Sequence, residues 1–205
     1  MNKLYYAPGA CSIGIHILLA EIGRPFAAEA VNLREPPGHR ALTGLNPKSK
    51  VPTLVRPDGS VLTEFPAIAY WLARSNPEAG LLPEDLEGQA RALETIDYCV
   101  ATLHMQGFAR INRPERFAPN PADHEAVKAQ GMEIFTKGLA VLDHQLAGRD
   151  FVTGRFSVAD AAVFYIELWA SKRLQLALPP HCTAHFARLQ ARPAVAAVLK
   201  TEGFA

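Results

Sequence analysis

Cysteine, methionine and tryptophan are scarce in this 205-residue chain, at 3, 3 and 2 copies, and neither sign of charge predominates. Cys11, Cys99 and Cys182 are far apart and form no C-x-x-C pair, so neither a disulfide framework nor a zinc site is expected. Lys and Arg total 21 against 20 for Asp and Glu, which removes the basic footprint of a nucleic-acid binder or of an anchor to anionic membranes. The partner is expected to be small. No run approaches the roughly 20 apolar residues of a membrane span, and no basic leader with an apolar core opens the chain. A soluble protein of the reducing cytoplasm is the expectation. Internal repeats and low-complexity tracts are also missing.

What is there falls into two patterns. Residues 1–77 alternate strand-like runs (3–6, 28–31, 53–55 and 61–63) with helical ones (12–22, 39–45 and 64–74), punctuated by Gly and Pro. This reads as a β-α-β unit, then a hairpin turning at Asp58-Gly59, then a helix. Residues 86–205 read as helices alone. Leu86, Ala90, Leu93, Ile96, Val100 and Leu103 recur at steps of three and four, an apolar stripe for packing against another element. A long helix is expected from Ala122 to Ala147, ending at Gly148. Ser157 and Asp160 have the spacing of a capping box before a buried helix through Ala170, and Pro193 opens the last helix.

The chemistry-bearing segment is Tyr5-Tyr6-Ala7-Pro8-Gly9-Ala10-Cys11-Ser12, where a thiol and a hydroxyl stand at the start of a helical pattern. Unpaired N–H groups and the positive dipole end of a helix favour thiolate over thiol, so Cys11 is a candidate reactive sulfur; a packed, inert cysteine is the alternative. His104 and Asp97, seven residues apart on one long helix, are expected on one face, two turns apart.

Taken together, Leu4 to Ser12, Asn46-Pro47-Lys48, Val51-Pro52, Leu62-Thr63-Glu64, Val158-Ala159-Asp160 and Thr201-Glu202-Gly203 resemble the bacterial beta-class glutathione S-transferases over nearly the whole chain. The resemblance implies a thioredoxin-like domain, with a four-stranded mixed sheet and three helices, over residues 1–77. An all-helical domain over residues 86–205 would carry much of the electrophile site. It further implies a homodimer that binds glutathione as co-substrate, needs no metal, and passes its sulfur to small hydrophobic electrophiles.

Residue by residue, the resemblance implies a cis Val51-Pro52 bond that presents the Val51 backbone to the cysteinyl part of glutathione, beside Ala10. Glu64 and the helix start at Phe65 would hold the ammonium and carboxylate of the γ-glutamyl end. The family commonly has Ser or Gly after this glutamate, and the bulk of Phe65 is expected to crowd that pocket. Lys50 would face the glycyl carboxylate, Leu33 would line the tripeptide, and Asp97 would meet the amino end across the dimer. His104 would approach the sulfur site from the helical domain.

A hydrogen bond from Ser12 or Tyr5 can stabilise the glutathione thiolate; Cys11 can instead lend its S–H or form a mixed disulfide, and His16 is a further group able to tune this end. The electrophile is expected near residues 105–117, against Gly107, Phe108, Ile111 and Phe117, with Arg110, Arg113 and Arg116 steering anions or simply solvated. The readings from other classes are a non-catalytic binding protein on the same fold and a dedicated thiol-disulfide oxidoreductase. The missing C-x-x-C disfavours the latter.

Overall fold

The computed structural model describes residues 1–33 and 42–204. Strand β1 (Asn2–Tyr6) leads through the Ala7–Cys11 turn into helix α1 (Ser12–Ile22), which stops at Gly23 in the left-handed conformation (φ 71°). Strand β2 (Phe26–Ala30) returns parallel to β1, in register Asn2↔Phe26 to Tyr6↔Ala30. It begins two residues before the expected run, because the ladder with β1 sets its length. Strands β3 (Thr53–Val55) and β4 (Val61–Thr63) form the hairpin read from Asp58-Gly59, and the sheet order is β2-β1-β3-β4. The helix expected over 39–45 lies largely outside the described residues. Leu42 to Asn46 form a turn whose Leu45 and Asn46 N–H groups both bond the Leu42 carbonyl at 3.0 Å.

Helix α2 (Phe65–Ser75) completes the thioredoxin-like part, and the rest is helical. Helix α3 (Leu86–Asp97) runs into a wider i→i+5 stretch over Tyr98–Phe108 and ends as the short α4 (Ala109–Asn112). Helices α5 (His124–Leu146), α6 (Val158–Leu168, extended by a wide turn over Trp169–Arg173), α7 (Pro180–Gln190) and α8 (Pro193–Glu202) follow. No helix among the described residues is long and apolar enough to cross a membrane.

Alternation along β1 divides the interior. Leu4 and Tyr6 join the main core with Leu54, α1, α2 and α6, whereas Tyr5 points to the opposite face with Ala7, Val31 and Leu42. Every residue of α6 is buried, as a helix apolar all round must be. Its cap follows the sequence reading: Asp160 Oδ2 accepts the Ser157 N–H (2.8 Å) and the Ser157 hydroxyl (2.9 Å).

The apolar stripe on α3 is only half right. Ala92, Ile96, Cys99 and Leu103 are the residues fully covered inside the chain, while Leu86 is 82% exposed and Ala90 is exposed. The step of three and four therefore describes two neighbouring faces: Leu93 and Val100 are partly buried against the core, whereas Leu86, Ala90 and Asp97 are exposed.

Candidate active site at the start of the first helix

The turn that carries Cys11 is held from the far end of the chain. Glu202, at the end of α8, accepts the Gly9 N–H at 2.9 Å and bonds His16 Nδ1 at 2.8 Å. The Trp169 indole N–H and the Arg173 guanidinium both donate to the Gly9 carbonyl at 2.8 Å. Gly9 itself has φ +65°, and a Cβ there would lie 2.4 Å from the Phe204 ring, so only glycine fits.

Cys11 sits at the N-cap of α1, with its S–H directed to the Val51 carbonyl at 3.7 Å. Burial and the helix start act in opposite directions on this thiol. Burial pushes the Cys11 thiol up to about 12, against the Cys11 and Ser12 N–H groups that pull it down. The helix start does aim its donors at this sulfur, but removal from water is the larger effect.

Opposite Cys11, Asn46 builds the approach to the cis Val51-Pro52 bond. Its side-chain amide donates to the Lys50 carbonyl (2.9 Å) and Thr53 Oγ1 (2.8 Å), and its Oδ1 accepts the Lys48 N–H (3.0 Å). Glu64 caps α2 with φ +71° and ψ +127°, a backbone state uncommon outside glycine. Its carboxylate is exposed and bonded to Lys48 Nζ at 2.7 Å. Phe65 does not crowd this corner. Its ring turns inward, edge-on to Tyr165 at 5.4 Å and tight over Gly14, leaving the start of α2 open.

From the helical side, His104 packs edge-on against Trp169 (4.7 Å) and Tyr165 (6.0 Å). Burial, helped by the Lys50 charge, lowers it to about 4, so the imidazole is neutral at pH 7.

Two cavities meet at this point. One, of about 210 Å³, runs past Lys48, Pro52, Thr63, Glu64 and Phe65; the other, of about 280 Å³, runs past Ala10, Leu33, Phe108, Arg113, Arg116 and Trp169. Cys11, Lys50, Val51, His104 and Met105 line both. The second opens into a larger, shallower space of about 880 Å³ beside Asn32, Leu33 and Glu115.

Most of the candidate residues thus converge, and several do not. Ser12 is fully buried, its Oγ accepting the Ala7 N–H at 3.2 Å and donating to the Ala7 carbonyl at 3.4 Å, so it ties the turn together and does not face the cleft. Tyr5 lies on the other side of the sheet, beneath Lys3 Nζ at 4.7 Å. His16 is spent on Glu202 and packs against Tyr6. Asp97 is exposed and lines neither cavity; the helix widens between it and His104, so seven residues no longer make two turns.

Of the expected apolar wall only Phe108 lines the cleft. Gly107 is buried facing Phe135, where an added Cβ would lie 3.1 Å from the Phe135 Cβ, Ile111 packs towards Gly131, and Phe117 lies under Arg110 at 4.5 Å. Lys48, Trp169, Arg173 and Glu202 were missed as contributors to the site. Lys48 and Glu202 stand inside quoted motifs, but nothing local says that α8 reaches back to Gly9.

Comparison with known proteins gives one family. Residues 9–75 match the family model described as glutathione S-transferase, N-terminal domain, and residues 125–201 the corresponding C-terminal domain. Glutathione S-transferase GstA of Escherichia coli O157:H7 is 35% identical, over 98% of each chain. A sphingomonad glutathione S-transferase, solved in complex with glutathione, is 35% identical with a TM-score of 0.85, covering 99% of this chain and all 100% of its own. The bacterial beta-class enzyme of Sphingomonas chungbukensis is 32% identical with a TM-score of 0.85, at 99% and 100% coverage. With the fold, the helix-start cysteine and both matched regions in agreement, the chain belongs to the glutathione S-transferase family.

Proposed function

We propose that this protein docks glutathione along the smaller cavity and conjugates its thiolate to an electrophile held in the larger one. The carrying observation is the meeting of the two cavities at Cys11, Val51 and His104, where donors from the start of α1 converge. The Val51 backbone receives the cysteinyl unit, the start of α2 at Phe65 receives the γ-glutamyl carboxylate, and Glu64 its ammonium. Lys48 already holds Glu64, but an exposed ion pair contributes only about 0–1 kcal/mol, so a ligand ammonium can displace it. Lys50 faces the glycyl carboxylate, and Ala10 and Leu33 line the tripeptide.

A thiol near 8.5 must be brought down by about one to two units to react at neutral pH, each worth about 1.4 kcal/mol. Cys11, held protonated, serves as an S–H donor to the incoming thiolate, together with the α1 N–H groups; neutral His104 lends a ring N–H. In the reaction the C–S bond forms, the leaving group departs with its electron pair, and the thiol proton passes to solvent. Thiol-disulfide exchange through Cys11 is a lesser reading, since a thiol at about 12 is a poor nucleophile at pH 7.

We further place the domain boundary between residues 77 and 86, the working compartment in the cytoplasm, and a second copy on the exposed α3 face. Asp97 continues that face, where it can reach the partner's glutathione. Calorimetry with millimolar glutathione tests the docking, and absence of heat sinks it. Cys11→Ala is expected to lose glutathione-dependent disulfide reduction while keeping part of the conjugating rate; full reductase activity in that variant removes Cys11 from the exchange chemistry.

A further inference from the structure

The electrophile cavity is chemically uneven. One end holds Cys11 and His104, the middle is the stacked pair Phe108 and Trp169 with ring centroids 4.1 Å apart, and the other end holds Arg113 and Arg116. Arg113 stands just past the end of the helix that carries His104, roughly 13 Å further along at an α-helical rise, a span that a substituted aromatic ring and an extended arginine side chain bridge together.

The two arginines differ from their neighbours. Arg110, one turn earlier, is committed to Gln130 Oε1 (3.1 Å), the Gln106 carbonyl (2.8 Å) and the Phe117 ring. Arg24, Arg91, Arg188 and Arg192 all sit in ion pairs. Among the described residues Arg113 and Arg116 have no carboxylate partner, although both line the cleft. Among the described residues lining the adjoining space the one acid is Glu115. Arg113 is half-buried and Arg116 exposed at the mouth of the cleft, and two guanidinium groups without a carboxylate partner match a carboxylate in geometry and in charge.

We propose that the natural electrophile is anionic: a flat, unsaturated or aromatic acid whose carboxylate is held by Arg113 and Arg116 while its reacting carbon faces the glutathione sulfur. This rests on the transferase reading and specifies its substrate class. The field of these cations also gathers such a substrate from solution, an effect that salt suppresses.

A matched pair of electrophiles tests it: a chlorodinitrobenzoate and the corresponding chlorodinitrobenzamide, which share the departing chloride and differ in charge. In each, the glutathione sulfur bonds the ring carbon and chloride leaves with the C–Cl pair. For each, kcat/KM is divided by the uncatalysed rate constant. The wild-type enhancement is expected to favour the benzoate by about tenfold at low ionic strength, the size of a charge-assisted hydrogen bond, and less in high salt. The Arg113→Gln, Arg116→Gln double variant is expected to bring the ratio close to one, and the Lys double variant to keep most of it. Equal enhancement of both compounds by the wild type overturns the proposal and leaves the transferase reading intact. Enhancement of neither, with no heat from glutathione, overturns both.

Discussion

At the residue scale, two opposing effects meet on Cys11. A helix start stabilises negative charge by some tenths of a kcal/mol to about 2 kcal/mol, whereas full burial of a thiol moves it several units the other way. Burial is the larger effect and raises the thiol, which agrees with the S–H donor role proposed for Cys11. Gly9 shows the same dependence on distant residues. Replacing it with Ala adds a methyl at 2.4 Å from the Phe204 ring and at a positive φ, so Gly9→Ala is expected to cost about 1–3 kcal/mol, read as a lower urea midpoint. Combining it with Phe204→Ala is expected to relieve the clash but not the backbone strain, recovering part of the loss.

At the element scale, α6 carries its charges in a helix with no solvent contact. His185, on α7, bonds both Glu167 carboxylate oxygens at 3.0 Å through Nδ1 and Asp160 Oδ1 at 3.1 Å through Nε2. Burial lowers an imidazole, but the Glu167 charge and the two carboxylate hydrogen bonds outweigh it and raise His185 to about 9. Because its folded value exceeds the ordinary 6.5, its stabilisation is complete below about pH 6.5 and is lost as pH rises through 9. Glu167, raised by its own burial against the pull of His185, acts in the same direction. The urea midpoint is therefore expected to fall from pH 6.5 to 9.5, approximately, and His185→Gln is expected to lower it overall and flatten that decline. The Ser157–Asp160 cap was legible because a capping box spans only four residues. The histidine that shares Asp160 was not, since it lies 25 positions further on.

At the scale of the whole molecule, the exposed line through Leu86, Ala90 and Asp97 is where we propose that a second copy docks. A stable dimer needs roughly 800 Å² from each partner, and an exposed leucine at the start of such a face is a natural anchor. Sedimentation is expected to give twice the 22.3 kDa chain mass, and Leu86→Lys to shift the population towards monomer without loss of helix signal. A wild-type monomer at micromolar concentration removes this assignment.

What sequence alone determined is local: alternation that makes β1, the Asp58-Gly59 hairpin, the helix start at Ser12, the cap at Ser157, and motifs at family spacing. Each depends on neighbours within a turn or two, where propensity, capping and pleat act. Only the tertiary structure decided the rest. It turned Phe65 inward over Gly14, withdrew Ser12 and Tyr5 from the cleft, brought Glu202, Trp169 and Arg173 onto Gly9, and set burial against the helix start at Cys11. Those outcomes depend on burial and on contacts between residues as much as 193 positions apart, and desolvation is a property of the packed molecule that no short stretch of chain contains.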